Sequence, residues 1–293
     1  MQAETKTLKS FDGTELCLYS YGNSSARPLV LFNGVGANRA AWKHIVAHYR
    51  DRYHVVTWDY RGLYSSAEAP NRESYTMEHH ARDIQTILES ESCKEPIFLG
   101  WSMGVQVVLE LQRLKPNLAS AFIALQGAPG HSLNVAFESP SQRKVLSKVL
   151  NKGTYAGDGF AFLMAGLSKS KKVQDFLCGA LRKIGTLSED AEQEGMRSLI
   201  GDWMEHDLRV ITSILKSLAE HNPAEQMGTV DMPTLVLGGG SDSFTPKVLT
   251  DAMADAIPNA RLRYVPGATH FGMLEFPKLI LKEMDEFLEL ESL

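Results

Sequence analysis

Short runs of consecutive apolar residues punctuate the first part of the chain: PLVLFN, YHVVTWD, PIFLGW and SAFIAL. Runs of this length, largely apolar, predict strands buried on both faces, as in a parallel sheet. Between them the apolar positions shift to helical spacing, over Ala40 to Tyr49, Thr76 to Leu88 and Val105 to Leu114. Alternating strands and helices predict a mostly parallel sheet covered by helices, with ligands bound at the carboxyl ends of the strands. Ahead of this, TKTLKS and ELCLYSY flank Asp12-Gly13, a strong turn signal, so the chain opens with an antiparallel hairpin.

The pattern changes after Leu125. From about 127 to 228 no convincing strand occurs, and three helical stretches are expected, Ser141 to Leu150, Phe160 to Ile184 and Glu189 to Ala219. Strand and helix then resume with Pro233 to Leu237, Lys247 to Ala256, Arg261 to Val265 and a closing amphipathic helix, Pro277 to Leu290. The expected organisation is a core built from residues 1–126 and 229–293, interrupted by a helical cap over 127–228.

Composition narrows the functional classes. With 293 residues, 44% hydrophobic and 22% charged, the chain has ample apolar surface for one large core. A net charge of -5 provides no long-range attraction to nucleic acid or an anionic membrane. MQAETKTLKS has no apolar signal core and no stretch reaches the length of a membrane span, so a cytoplasmic location is expected. Cys17, Cys93 and Cys178 are odd in number and lack metal-ligand spacing, so free thiols are expected, with no metal and no cofactor. The expected partner is a small-molecule substrate, with a homodimer as a possible assembly.

The strongest local signal is Gly100-Trp101-Ser102-Met103-Gly104, set directly between the strand PIFL and the helix VQVVLELQRL. A serine in a sharp strand-to-helix turn is exposed for attack, and small residues two positions either side let helix and strand approach closely. A serine hydroxyl needs a base to take its proton. His270, in the loop after the last strand, is at the same sheet edge. The imidazole needs a carboxylate to fix its tautomer; Asp242 follows the strand TLVLGGG at that edge. Backbone amides supply the donors for a tetrahedral oxyanion: Met103 N–H opens the helix, and Val35 N–H lies in the turn Asn33-Gly34-Val35-Gly36.

GWSMG, GGSDSFTP and GATHFGMLEFP together resemble the α/β-hydrolase superfamily, and the resemblance covers nearly the whole chain. It rests on Gly239, Asp242, Pro246, Gly267, His270, Glu275 and Pro277 besides the serine motif. A fourth segment, Asp59-Tyr60-Arg61-Gly62-Leu63-Tyr64-Ser65-Ser66, is similar to a structural turn of the family. It carries Tyr64 where a second glycine is usual, which makes the turn bulkier. Asn33 stands where many relatives have histidine and is expected to alter hydrogen bonding behind the oxyanion turn. The resemblance implies an α/β-hydrolase fold and a Ser-Asp-His hydrolase, a carboxylic ester hydrolase acting through an acyl-enzyme. Related enzymes with this triad cleave carbon–carbon bonds, lactones or thioesters, and a ligand-binding receptor is the non-enzymatic alternative.

Other candidates have plainer readings. Asp59 also ends a strand, but Arg61 and Gly62 suggest a structural turn with an ion pair. His79 and His80, at the start of a helix, are expected to face solvent or cap it, and His206 to lie on a surface helix. Lys169, Lys171 and Lys172 read as a solvated helix face. Trp101, Phe160, Phe162, Met164, Trp203 and Met204 are candidates for an apolar substrate pocket, weighed against simple packing of the cap on the core.

Overall fold

The computed structural model describes residues 3–130, 166–183 and 185–293. Eight strands form one sheet: β1 (Glu4–Lys9), β2 (Glu15–Tyr21), β3 (Pro28–Phe32), β4 (His54–Trp58), β5 (Ile97–Trp101), β6 (Ala121–Leu125), β7 (Thr234–Gly239) and β8 (Ala260–Val265). Their spatial order is β1-β2-β4-β3-β5-β6-β7-β8. The opening hairpin is antiparallel and β2 joins β4 antiparallel; every other pairing is parallel. β3 to β6 are buried along their whole length, in keeping with their largely apolar runs; His54 and Thr57 of β4 are buried polar exceptions. β1 is mostly exposed and carries Glu4, Lys6 and Lys9, charges that discourage pairing at an open edge.

Topology fixes where a ligand can sit. From β3 the chain steps outward to β4, then returns to place β5 on the opposite side of β3. Connections leaving β3 and β5 therefore diverge, opening a crevice at their carboxyl ends. The loops after β3, β5, β6, β7 and β8 all emerge at this edge.

Helices cover both faces. On one lie α2 (Met77–Ser90), α3 (Met103–Leu114), α6 (Leu208–Glu220) and α7 (Lys247–Ala256), whose apolar residues share a buried cluster with Val30, Val56, Phe98 and Phe122. On the other lie α1 (Lys43–Tyr49) and α8 (Pro277–Leu290), clustered with Leu29, Leu31, Leu99 and Ile123. α4 (Lys171–Lys183) and α5 (Gln193–Glu205) contribute Cys178 and Met196 to this second cluster.

Several expectations are corrected. The helix expected over Ala40 to Tyr49 is a 3-10 turn, Arg39–Trp42, running into α1; the Asn38 side chain caps it by accepting from Ala40 N–H at 2.8 Å. The stretch Glu189 to Ala219 is divided at His206-Asp207, where Asp207 accepts the Arg209 amide at 2.7 Å and starts α6. His206 is thus buried at a joint between helices, not on a surface helix. His80 is fully buried, because residues 77, 80, 81, 84, 87 and 88 form the inward face of α2. The expected helix Ser141 to Leu150, and Phe160, Phe162 and Met164, lie outside the described residues.

Lys169, Lys171 and Lys172 are exposed. Among the described residues, no helix is long and apolar enough to cross a membrane. No group of three or more His, Cys, Asp or Glu side chains among them is arranged to hold a metal ion.

Candidate active site

The turn between β5 and α3 holds Ser102 at φ 54° and ψ -115°, in the left-handed half of backbone space that a serine rarely occupies. The close packing that imposes this conformation is visible at the two flanking glycines. A Cβ on Gly100 would stand 2.8 Å from backbone atoms of Gly104 and Val105, and one on Gly104 would strike the Phe32 carbonyl. Ser102 N–H donates to the Leu125 carbonyl at 3.1 Å, tying the elbow to β6, while the side chain remains half-buried and reachable.

Three loops bring three side chains into line. His270 Nε2 lies 2.8 Å from Ser102 Oγ, and His270 Nδ1 lies 2.9 Å from Asp242 Oδ2. Asp242 is buried and fully engaged. Its Oδ1 accepts the Phe244 and Thr245 amides at 2.8 and 2.9 Å, and Oδ2 also accepts the Thr245 hydroxyl at 2.7 Å. Burial pushes this carboxyl upward. The neighbouring His270, with the hydrogen bonds from His270 and Thr245, outweighs it and holds Asp242 below the ordinary carboxylate range.

Two side chains brace these loops. Gln126, just past β6, donates through Nε2 to the Thr269 carbonyl and, at 3.4 Å, to Asp242 Oδ2, while its Oε1 accepts the Gly272 amide at 3.1 Å. Glu275 accepts the Thr269 amide and hydroxyl at 2.7 and 2.6 Å, and the Ser188 amide at 2.9 Å. Glu275 was visible as part of the histidine-loop motif. Gln126 was missed; its signal is a polar side chain directly after the apolar run SAFIAL.

The turn after β3 is closed by Ala37 N–H donating to the Gly34 carbonyl at 3.1 Å, with Gly36 at φ 66°. Asn33 anchors its base. Nδ2 donates to the Trp58 carbonyl at 2.5 Å, Oδ1 accepts Trp42 Nε1–H at 2.6 Å, and the Asn33 carbonyl accepts the Tyr60 hydroxyl at 2.9 Å. Among the described residues, neither Val35 N–H nor Met103 N–H is bonded to a protein acceptor. Met103 N–H is also the first amide of α3, where the helix dipole favours negative charge.

The expected pocket residues are placed differently from one another. Trp101 is 3% exposed and turned inward. Its indole N–H donates to the His270 carbonyl at 3.0 Å, and its ring fills the space where a Gly34 side chain would stand. This engagement makes it a support beneath the site, a correction to the pocket-lining role. Trp203, on α5, is half-buried and lies against Gly36. Met204 is buried in the same helix. A cavity of about 250 Å³ opens between the Arg39–Trp42 turn and α5. Its walls include Asn38, Lys43, Glu192 and Asp202 together with Ala41, Leu199 and Leu274, and none of Ser102, Asp242 and His270 lies on them.

The turn at Asp59 is structural, and its ion pair is made at a distance. Arg61, fully buried, donates to Asp83 at 2.8 and 2.5 Å and to Asp12 at 2.7 Å. Asp59 instead accepts the Tyr19 hydroxyl at 2.8 Å and the Ser65 amide at 3.1 Å.

Compared with known proteins, residues 27–277 match the family model described as alpha/beta hydrolase fold. The chain is similar to a pimeloyl-[acyl-carrier protein] methyl ester esterase of Aeromonas hydrophila, 26% identical over 259 residues, covering 88% of this chain and 94% of that one. It is also similar to a non-heme chloroperoxidase of Burkholderia pyrrocinia, 23% identical over 271 residues, covering 90% and 91%. Among solved structures, the esterase RhEst1 from Rhodococcus sp. ECU1013 superposes with a TM-score of 0.79 at 20% identity, covering 97% of this chain and 98% of that one.

Proposed function

Because the chain belongs to the alpha/beta hydrolase fold family, we propose that it is a serine hydrolase cleaving a small to medium, largely apolar carboxylic ester through an acyl-enzyme on Ser102. The observation that carries this reading is the alignment of Ser102, His270 and Asp242 at 2.8 and 2.9 Å across three separate loops. Ester hydrolysis is further supported by the name of the Aeromonas relative.

In this reading His270 Nε2 takes the proton of Ser102 Oγ as the oxygen attacks the ester carbonyl. Asp242 holds the imidazole in the tautomer with Nδ1 protonated and stabilises the imidazolium. The tetrahedral oxygen accepts from Met103 and Val35 N–H, fixed donors that need no rearrangement as charge develops. Protonation of the leaving alcohol by His270 collapses the intermediate to the acyl-enzyme. Water, activated by the same imidazole, then releases the acid and restores Ser102. Part of the stretch 127–228, between β6 and β7, supplies the cap that selects the acyl group, with Trp203, Phe160 and Met164 as its lining candidates.

Ser102→Ala tests the assignment. Turnover of p-nitrophenyl butyrate is expected to fall at least about 1000-fold, with the melting temperature of the wild-type protein preserved. Stoichiometric fluorophosphonate labelling should disappear with it. Unchanged turnover, or labelling without turnover of any ester, would overturn the assignment.

A further inference from the structure

We propose that Tyr64 is a positioning residue that fixes the oxyanion turn and joins it to α5, an inference that rests on the serine-hydrolase reading above. Tyr64 has φ 52°, a left-handed conformation that glycine tolerates and a bulky side chain resists. It occupies the position where the family turn usually has glycine, so the strain comes with a gain: its hydroxyl donates to the Gly36 carbonyl at 2.7 Å. Gly36 and Val35 are the two central residues of the turn closed by Ala37 N–H and the Gly34 carbonyl. A bond to that carbonyl fixes the orientation of the turn, and with it the direction of Val35 N–H.

The turn is gripped from a second side. Trp203 of α5 lies where a side chain on Gly36 would stand. Three residues later, as α5 ends, His206 packs edge-on against the Tyr64 ring, with centroids 4.2 Å apart and planes at 88°. Trp203 and His206, at helical i, i+3 spacing, therefore close on the Gly36 and Tyr64 pair together. Asn38, just past the turn, adds a bond from Nδ2 to Asp202 Oδ2 at 3.0 Å, again on α5. Movement of α5 is transmitted to the turn through these contacts, and the Tyr64 hydroxyl links the Asp59–Ser66 turn to the Gly36 carbonyl through a bond that loss of a single atom removes.

Donors aimed at a developing oxyanion act on the transition state far more than on the bound ester. Tyr64→Phe keeps the ring against His206 and deletes the hydroxyl. It is expected to lower kcat about tenfold and to weaken inhibition by an alkyl boronic acid, a mimic of the tetrahedral state, by about the same factor. KM should stay within about twofold and the melting temperature within about 2 °C. If the Phe variant does not fold, Tyr64→Gly, free of the backbone strain, serves in its place with the same expected loss of boronate affinity. Unchanged kcat and boronate affinity in an active enzyme would overturn the positioning role. So would losses in kcat and KM that merely follow a fall in melting temperature. Wild-type protein without ester turnover would instead sink the hydrolase reading, and this proposal with it.

Discussion

At the scale of single residues, Asp242 and the buried histidines set how the protein responds to substitution and acid. Asp242→Asn keeps the shape of the acid loop but lets His270 adopt the wrong tautomer, so kcat is expected to fall by about 10⁴, measured on an activated ester. The depressed carboxyl of Asp242 contributes stability that is present above its unfolded pKa and lost as pH falls through the folded one. Buried histidines act earlier on the scale. Burial, against a small opposing effect of Glu205, lowers His206 to about 4. Burial, aided by Arg61 and His79, holds fully buried His80 well below the ordinary imidazole range. The unfolded chain then binds protons near pH 6.5 that the folded one refuses, so stability falls as pH drops from about 6.5 towards 4. Melting temperature should decline over that window. His80→Leu removes two ring nitrogens that have no partner among the described residues, and should leave stability at pH 7 equal or higher while flattening the acid limb.

At the scale of elements, the elbow is the most demanding piece of backbone. Gly104→Ala sets a methyl group against the Phe32 carbonyl, and since the Cβ is fixed by its own backbone and the carbonyl is main chain, neither can swing aside. A loss of about 3 kcal/mol or more in urea unfolding is expected, alongside loss of activity. This part of the site was legible in the sequence because strand, glycine, serine, glycine and helix are contiguous. The loops carrying Asp242 and His270 were legible because each follows a strand, the apolar TLVLGG before Asp242 and the alternating ARLRYV before His270. What escaped was lateral. Gln126 binds residues 116 and 143 positions away, and Arg61 finds Asp83 and Asp12 22 and 49 positions away. No local pattern marks such pairs. The break at His206 was hidden because apolar residues keep helical spacing on both sides of it, and only the Asp207 cap marks the new start.

At the scale of the whole molecule, the inserted helices do not share one role. α5 sets Trp203 and Asp202 against the turn after β3, whereas α6 lays Val210, Ile211, Ile214, Leu215 and Leu218 into the cluster on the opposite face from α1 and α8. Apolar periodicity assigned α6 to a helix correctly but could not say which surface it covers. Ile214→Ala, at a fully buried position, should therefore lower the stability of the whole molecule by about 2–4 kcal/mol, seen as one cooperative transition shifted to lower denaturant. An early, separate transition for this variant would show that α6 belongs to an independent unit.

The left-handed backbone of Ser102 has a consequence for anyone improving this protein. Glycine suits that conformation better than serine, so Ser102→Gly should raise stability by about 1 kcal/mol while removing the hydroxyl proposed as nucleophile. A mutant library ranked by heat resistance alone would therefore enrich inert molecules at this position. The same holds for Tyr64, whose backbone is also left-handed. Directed evolution of this scaffold needs turnover as a second filter, because two of its left-handed non-glycine conformations belong to the residue proposed to attack the substrate and the one proposed to hold the oxyanion turn.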